Sequence, residues 1–530
     1  MKGHFLMTIF NLTIFVALAY VYGKNALHMF QQQRYEINRY TKWLFNKNNI
    51  HISNVFFYFA VELILFLLNK LIFKDSTIIL LLSLLFTIGF TVYVVYKESK
   101  RVYIKDLVIT KRVTRQIIVY TILLVLSIYL ILLWFKPLYF VGIFSVYLPY
   151  LLIYPMHFIT YPIEELIKKS YEQEARKKLA GLSHLKKIGI TGSYGKTSTK
   201  NIINDVISDN YYTHITPASY NTPMGITKTI RENLRPIHEI FVCEMGADKV
   251  GDISYLMDFV KPQFGVVTSI GPQHLATFKS MDNIIKEKMQ EIEMLPADGI
   301  GFLNGDNEFI NNYQVKNTCK IIKVGIENKE ADYVATNIKY SNNGSTFCLK
   351  LDGKNRKFET SLLGKHNITN ILIGIAIAKE LGISNDDIVK NVKGVRQVEH
   401  RLQVKKINNL TFIDDAFNSN PVGSKMAIDV LSSMKGKRVI VTPGMIDLGP
   451  KQDEYNYEFG KYMLDKVDYV LLVGEKQTKS IVSGLKDAGY NMDDVKVFKD
   501  VRDALNYVYT KFTSEDTILL ENDLPDAFNV

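Results

Sequence analysis

The run S-T-I-I-L-L-L-S-L-L-F-T-I-G-F-T-V-Y-V-V-Y, residues 76–96, carries no charged side chain before Lys97. A helix that is apolar all round has no face to give to water, so it must lie in lipid or deep in a large core. About 20 helical residues cross a hydrocarbon layer of roughly 30 Å. Comparable apolar stretches stand near 5–22, 55–73, 116–135 and 138–158, the last interrupted by Pro149 and Pro155. The expectation for residues 1–160 is therefore a multi-pass α-helical membrane region of about five helices.

The charges between these stretches alternate as a membrane topology requires. Lys24, Arg34, Arg39, Lys42 and Lys47 follow the first stretch, and only Lys74 and Asp75 follow the second. Lys100, Arg101, Lys105, Lys111, Arg112 and Arg115 follow the third, the short Lys136-Pro137 link comes next, and Lys168, Lys169, Arg176, Lys177 and Lys178 come last. Basic loops stay on the cytoplasmic side. The N-terminus is then outside, and everything after residue 160 is cytoplasmic. The net charge of +11 reads as topology and contact with membrane lipids, with no nucleic-acid partner. The first stretch has no small-residue cleavage site after it, which favours a retained anchor over a signal peptide. Glu62 falls inside the second stretch, where an acid is either functional or paired with a neighbouring helix.

Residues 161–185 contain P-I-E-E-L-I-K-K-S-Y-E-Q-E-A-R-K-K-L-A-G, an amphipathic connector helix that proline and acids open and bases and glycine close. Beyond it the composition is that of an α/β protein. Cys243, Cys319 and Cys348 are too far apart for a metal-ligand pair and fit a reducing compartment.

The apolar strand L-K-K-I-G-I-T-G leads into S-Y-G-K-T-S-T-K and a helix. Strand, glycine turn, Lys-Thr and helix is the arrangement in which backbone N–H groups and a helix N-terminus receive phosphate oxygens. Lys196 would reach the terminal phosphates and the Thr197 hydroxyl would ligate magnesium. Ile190 stands where the strict P-loop has its first glycine, so a plain strand-to-helix turn is the competing reading. Two further buried strands end in chemistry-bearing residues: E-I-F-V-C-E-M-G-A-D at Glu244, and F-G-V-V-T-S-I-G-P-Q-H-L at His274. Ligands sit at such C-terminal strand ends in parallel sheets. The helical M-D-N-I-I-K-E-K-M-Q-E-I carries Lys286 and Lys288. Taken singly, each has a bland alternative: a strand-end carboxylate, a loop histidine, a solvated helix face.

As an ordered set, G-S-Y-G-K-T-S, E-M-G-A, G-P-x-H-L with Lys288, G-K-H-N-I-T-N, E-H-R-L and D-D-A-F-N-S-N-P resemble the Mur ligases over residues 186–530. The family makes amide bonds in peptidoglycan precursors at the expense of ATP. F-N-S-N-P followed by P-G-M-I-D-L-G is most similar to the member that adds D-alanyl-D-alanine to the UDP-muramoyl tripeptide. The resemblance implies that Gly192, Ser193, Gly195, Lys196, Thr197 and Ser198 cradle the β- and γ-phosphates of ATP. It implies two Mg2+ ions, one on Thr197 and Glu244, the other on His274 and Lys288, the lysine being carbamylated. It sets Asn367 and Asn370 toward adenine, Arg401 on the γ-phosphate and Asp415 on the ribose. Asn221, Asn418 and Asn420 become substrate-side residues, and Lys196, His274, Lys288 and Arg401 the catalytic set. The implied partners are a UDP-linked or lipid-linked muramoyl peptide and an amino acid or dipeptide, in a bacterial cell.

That chemistry explains the inventory. A carboxylate is a poor acyl donor, so ATP converts it to an acyl phosphate that an amine attacks, expelling phosphate. Two anions must meet at bonding distance, and cations must neutralise them.

Two features depart from the family pattern. Apolar stretches and one helix occupy the place of the family's UDP-binding domain, which suggests a lipid-linked or other envelope substrate. The ending L-L-E-N-D-L-P-D-A-F also lacks the Lys-Gly-Ser of the D-alanyl-D-alanine-adding member. An ATP-driven transporter is the reading from another class, but no Walker B Asp-Glu strand or transporter signature is present. A pseudoenzyme anchor would not be expected to keep Lys196, Glu244, His274 and Lys288 together. The expected architecture is a P-loop ATPase domain with a parallel sheet over 186–395. A C-terminal Rossmann-like domain should follow over 396–530, with strands K-R-V-I-V-T, D-Y-V-L-L-V and D-T-I-L-L-E.

Overall fold

The computed structural model describes residues 16, 19–45, 77–100, 106–134, 148–273, 275–341, 344–416, 420–446, 448 and 451–522, with scattered positions between 57 and 72. The chain divides into two compact units, Met1–Ser170 and Tyr171–Val530.

The first unit is helical, with helices Ile37–Leu44, Thr77–Ser99 and Lys111–Trp134. Its core gathers Phe30, Tyr40, Tyr120, Tyr150, Ile153 and Met156. The Tyr40 hydroxyl donates to the Tyr150 carbonyl at 3.1 Å, and Arg115 grips Glu164 through two bonds of 2.7 and 2.8 Å. Ile118, Ile122, Val125 and Tyr129 are exposed on the Lys111–Trp134 helix. Their spacing lays one apolar stripe along it. Among the described residues one helix is long and apolar enough to cross a membrane, over Lys111–Leu130. The stretch at 77–97 is also helical. Glu62, the stretch at 5–22 apart from a few residues, about half of 55–73 and the first part of 138–158 lie outside the described residues.

The connector expectation needs correction. The helix carrying P-I-E-E runs over Ile153–Ala180 and contains Pro162 in its interior instead of starting there. Proline removes one backbone donor but does not by itself end a helix whose other bonds persist. Here the helical bonds are already running before it, from Met156 N–H to the Leu152 carbonyl at 3.1 Å.

The second unit is built on three sheets. Strands β1 (Lys186–Thr191), β2 (Thr213–Ile215), β3 (Ile240–Glu244), β4 (Phe264–Val267), β5 (Ile300–Asn304), β6 (Lys320–Gly325) and β7 (Tyr333–Val334) form a parallel sheet in the order β2-β3-β1-β4-β5-β6-β7. Every residue of β3, I-F-V-C-E, is buried, as expected of a strand covered on both faces. The helices Lys196–Ile207 and Lys365–Glu380 supply Ile202, Ile203, Ile371 and Ile375 to one face. The helices Asp252–Val260 and Met281–Glu293 supply Leu256, Phe259, Met289 and Ile292 to the other. β1 lies between β3 and β4, so the chain changes direction across the sheet at its C-terminal end. That is where open α/β sheets form a crevice.

Strands β8 (Thr336–Ser341), β9 (Gly344–Leu351) and β10 (Lys354–Thr360) make an antiparallel sheet. The last sheet has the order β11-β12-β16-β13-β14-β15, with β11 (Gln403–Ile407), β12 (Leu410–Asp415), β13 (Arg438–Thr442), β14 (Tyr469–Val473), β15 (Val495–Phe498) and β16 (Thr517–Glu521). Only the β11–β12 pairing in it is antiparallel. In-register pairing of β12 with β16 sets Asp415 beside Glu521 at two adjacent strand ends.

Candidate active site

β1 ends in a turn that only glycine can make. Gly192 has φ 149° and Gly195 has φ 81°, in the region that favours glycine. A Cβ at Gly192 would collide with the Thr268 hydroxyl. The loop after β4 clamps the turn: Ser193 N–H donates to the Ser269 carbonyl at 2.7 Å, and the Thr268 hydroxyl donates to the Tyr194 carbonyl at 2.6 Å. The helix Lys196–Ile207 then starts from Gly195, which offers no side-chain cap. Its first-turn N–H groups are thus left for an anion.

Lys196 folds back over this turn, donating to the Gly192 and Ser193 carbonyls at 2.7 and 3.1 Å. Burial pushes its ammonium down to about 8, opposed by the nearby Glu244 carboxylate. Glu244 at the end of β3 is 1% exposed. Its Oε2 accepts from the Thr197 hydroxyl at 3.0 Å and from Lys200 at 3.1 Å, and its Oε1 accepts from the Asn221 amide at 2.9 Å.

Ser280 caps the helix Met281–Glu293 and thereby sets Lys288 facing inward, 2% exposed, while Lys286 stays on the solvated side. Burial holds the Lys288 amine down to about 7, and the field of Lys196 lowers it further. Glu287, beside it, receives the Gly251 and Ile253 N–H groups at 2.8 and 2.6 Å and so caps the helix Asp252–Val260. His274 and Asn418 lie outside the described residues.

Two cavities meet at the turn. One, of about 330 Å³, is lined by Asn304, Asp306, His366, Asn370 and Asp415, among others; the second, of about 200 Å³, by Lys196, Thr197, Ser219, Asn221 and Glu244. Tyr194, Gly195, Ser198, Arg401 and Asn420 line both. Burial lowers the Arg401 guanidinium, while Asp415 and Glu244 hold it up. Asp415 accepts from Leu402 N–H at 3.1 Å. Burial raises its carboxyl to about 6, while a hydrogen bond with the adjacent Glu521 draws it back. Asn420 caps the helix Pro421–Ser432, accepting from Gly423 N–H at 2.9 Å.

The structure thus gathers Gly195, Lys196, Thr197, Ser198, Glu244, Arg401, Asp415, Asn370, Asn221 and Asn420 around two joined cavities. Asn367 is not on either wall: it is buried, its amide donating to the Leu363 carbonyl at 2.8 Å. Three wall residues escaped sequence reasoning. Asp306 accepts from the N–H groups of Ile326, Glu327 and Asn328 at 2.7, 3.0 and 2.8 Å. The N-G-D-N stretch after an apolar strand was its only signal. His366 is half-buried on the wall of the larger cavity, and desolvation drives it down to about 4. Glu521 ends the D-T-I-L-L-E strand and becomes notable only through its neighbour Asp415.

The residues present suit a hard divalent cation in part. Thr197 and Glu244 offer oxygen donors, as magnesium prefers. Among the described residues no group of three His, Cys, Asp or Glu side chains assembles; magnesium in such sites keeps several waters and takes phosphate oxygens.

Residues 190–378 match the Mur ligase middle domain and residues 400–521 the Mur ligase, glutamate ligase domain. The chain is 31% identical over 341 residues, 63% of its own length and 72% of the relative's, to a UDP-N-acetylmuramoyl-tripeptide–D-alanyl-D-alanine ligase of Bacillus subtilis. It is 29% identical over 297 residues, 56% of its length and 65% of the relative's, to the enzyme of the same description from Escherichia coli. The fold resembles MurF from Acinetobacter baumannii, with TM-score 0.61, 24% identity and coverage of 67% of this chain and 77% of that one. MurF from Thermotoga maritima, solved with ADP, gives TM-score 0.60 at 22% identity, covering 67% and 80%. With these matches, and a glycine turn into an uncapped helix at the junction of two cavities, the chain belongs to the Mur ligase family of ATP-dependent amide-forming ligases.

Proposed function

We propose that this ligase phosphorylates the terminal carboxylate of a muramoyl peptide and joins D-alanyl-D-alanine to it. The observation that carries the reading is the shared wall of the two cavities. Nucleotide in the larger cavity would present its terminal phosphate at Lys196 and Arg401, facing an acceptor carboxylate in the smaller one. The carboxylate oxygen attacks the γ-phosphorus and ADP leaves. The amine then attacks the acyl carbon, and phosphate departs as the amine nitrogen loses its proton. Lys196 and Arg401 neutralise the anions as they approach, where preorganised charge lowers the barrier most. Magnesium, when bound at Thr197 and Glu244, would polarise the phosphoryl oxygens. Burial lowers the Lys288 amine to about 7, toward the neutral form that carbamylation requires, and His274 is its proposed companion at a second ion.

A second acceptor class is a lipid-linked wall precursor. The apolar Lys111–Leu130 helix would supply one span; further spans, with the catalytic part on the cytoplasmic side, rest on the alternation of apolar stretches and basic loops in the sequence alone. The full chain in detergent, given ATP, magnesium and D-alanyl-D-alanine, should release phosphate only when a muramoyl tripeptide is added. Offering the UDP-linked and lipid-linked forms separately distinguishes the two acceptors. Acceptor-independent hydrolysis would overturn the reading.

A further inference from the structure

Lys200 lies one helical turn beyond Lys196, and its side chain is 1% exposed. A lysine sealed from water is costly unless its charge and its protons are fully used. Here the ammonium has two acceptors: Glu244 Oε2 at 3.1 Å and the carbonyl of Ala218. Ala218 belongs to the stretch 217–222 between β2 and the helix Pro223–Glu232, and it sits at φ 43°, a conformation that alanine adopts only under restraint.

The same stretch is tied to β3 twice more. Asn221 donates to Glu244 Oε1 at 2.9 Å, and Gly246 N–H donates to the Asn221 carbonyl at 2.8 Å. The approach is so close that a Cβ on Gly246 would come within 2.8 Å of the Asn221 amide. Ala218, Ser219 and Tyr220 meanwhile turn their side chains to solvent. The stretch is thus fastened from below and open above. Ser219 and Asn221 line the smaller cavity and not the larger one.

We infer that Lys200 is a positioning residue for the acceptor: it staples the 217–222 stretch to Glu244 and so fixes the wall against which the acceptor carboxylate is held. This rests on the ligase reading above, which assigns the smaller cavity to the acceptor. Lys200 touches neither reactant. Its loss should therefore appear as weaker acceptor capture, not as a uniform loss of turnover.

The test uses the full chain in detergent, with UDP-N-acetylmuramoyl tripeptide as acceptor probe, D-alanyl-D-alanine, and saturating magnesium. Lys200→Met should raise the acceptor KM at least tenfold while the ATP KM moves less than threefold. Lys200→Gln keeps a donor for Ala218 and should recover part of the acceptor KM; Lys200→Arg should recover more. If Lys200→Met does not fold, the comparison of Lys200→Gln with the parent decides: an acceptor KM raised at least threefold at an unmoved ATP KM supports the staple. Acceptor and ATP KM values that rise in parallel, or an acceptor KM within twofold of the parent, would overturn it. A parent enzyme that releases no phosphate with this acceptor would instead count against the ligase reading.

Discussion

The Asn221 amide donates to Glu244 Oε1 at 2.9 Å, while the other oxygen of the same carboxylate takes the Thr197 hydroxyl at 3.0 Å. A residue of the helix Lys196–Ile207 and a residue of the 217–222 stretch thus share one acid at the end of β3. Glu244→Gln would keep the shape and lose the charge. We expect magnesium-dependent phosphate release to fall by about 10³-fold, roughly 4 kcal/mol of barrier, and thermal stability to fall with it, because the buried Lys200 ammonium loses its counter-charge. Activity within tenfold of the parent would remove Glu244 from the cation site.

Lys196 is held down to about 8 by burial. Below that pH it is charged and ready for phosphate; above it, binding must first take up a proton. ATP affinity should therefore decline as pH rises past 8, approaching tenfold per pH unit. Isothermal titration across pH 6.5–9.5 checks this, and Lys196→Ala should abolish the trend along with turnover.

Glu291 is buried with neither carboxyl oxygen hydrogen-bonded, directly beneath Gly189 of β1. Burial raises it to about 8, opposed by Lys288. It stays protonated in the folded chain but ionises once unfolded, so the unfolded state binds fewer protons between about pH 4.5 and 8. Stability must then fall as pH rises through that window, by about 3 kcal/mol up to pH 7 from this group alone. Glu291→Gln should flatten the fall, read by denaturant unfolding at pH 5 and pH 7.5; equal slopes would contradict it.

Asp306 collects three N–H groups from the loop after β6 and lines the larger cavity. Asp306→Ala should cost about 2 kcal/mol of stability through the orphaned donors and raise the ATP KM without moving the acceptor KM. An unmoved ATP KM would separate this loop from nucleotide binding.

Lys288 is lowered to about 7 by burial, so half or more of it is the neutral amine at and above that pH. Carbamylation needs that form together with carbon dioxide. Stripping bicarbonate should lower activity, and short carboxylates should partly rescue Lys288→Ala. A mass shift of the intact chain on adding bicarbonate provides a check independent of turnover.

The sequence by itself determined the glycine turn between β1 and the helix Lys196–Ile207, because glycine at 192 and 195 answers a local demand for positive φ; the loop after β4 then clamps that turn. It also determined the buried strand that ends at Glu244, since a run of apolar residues is read locally. What only the tertiary structure decided was which of these groups meet. The partners of Glu244 come from two separate stretches, Asp415 and Glu521 are joined by strand register, and Asn367 is turned inward by the Leu363 carbonyl. Such pairings depend on sheet order and helix packing over long sequence separations, and no local pattern records them. Pro162 shows the same limit from the other side: its residue type favours a helix start, but helical bonds already formed upstream carried the chain through it.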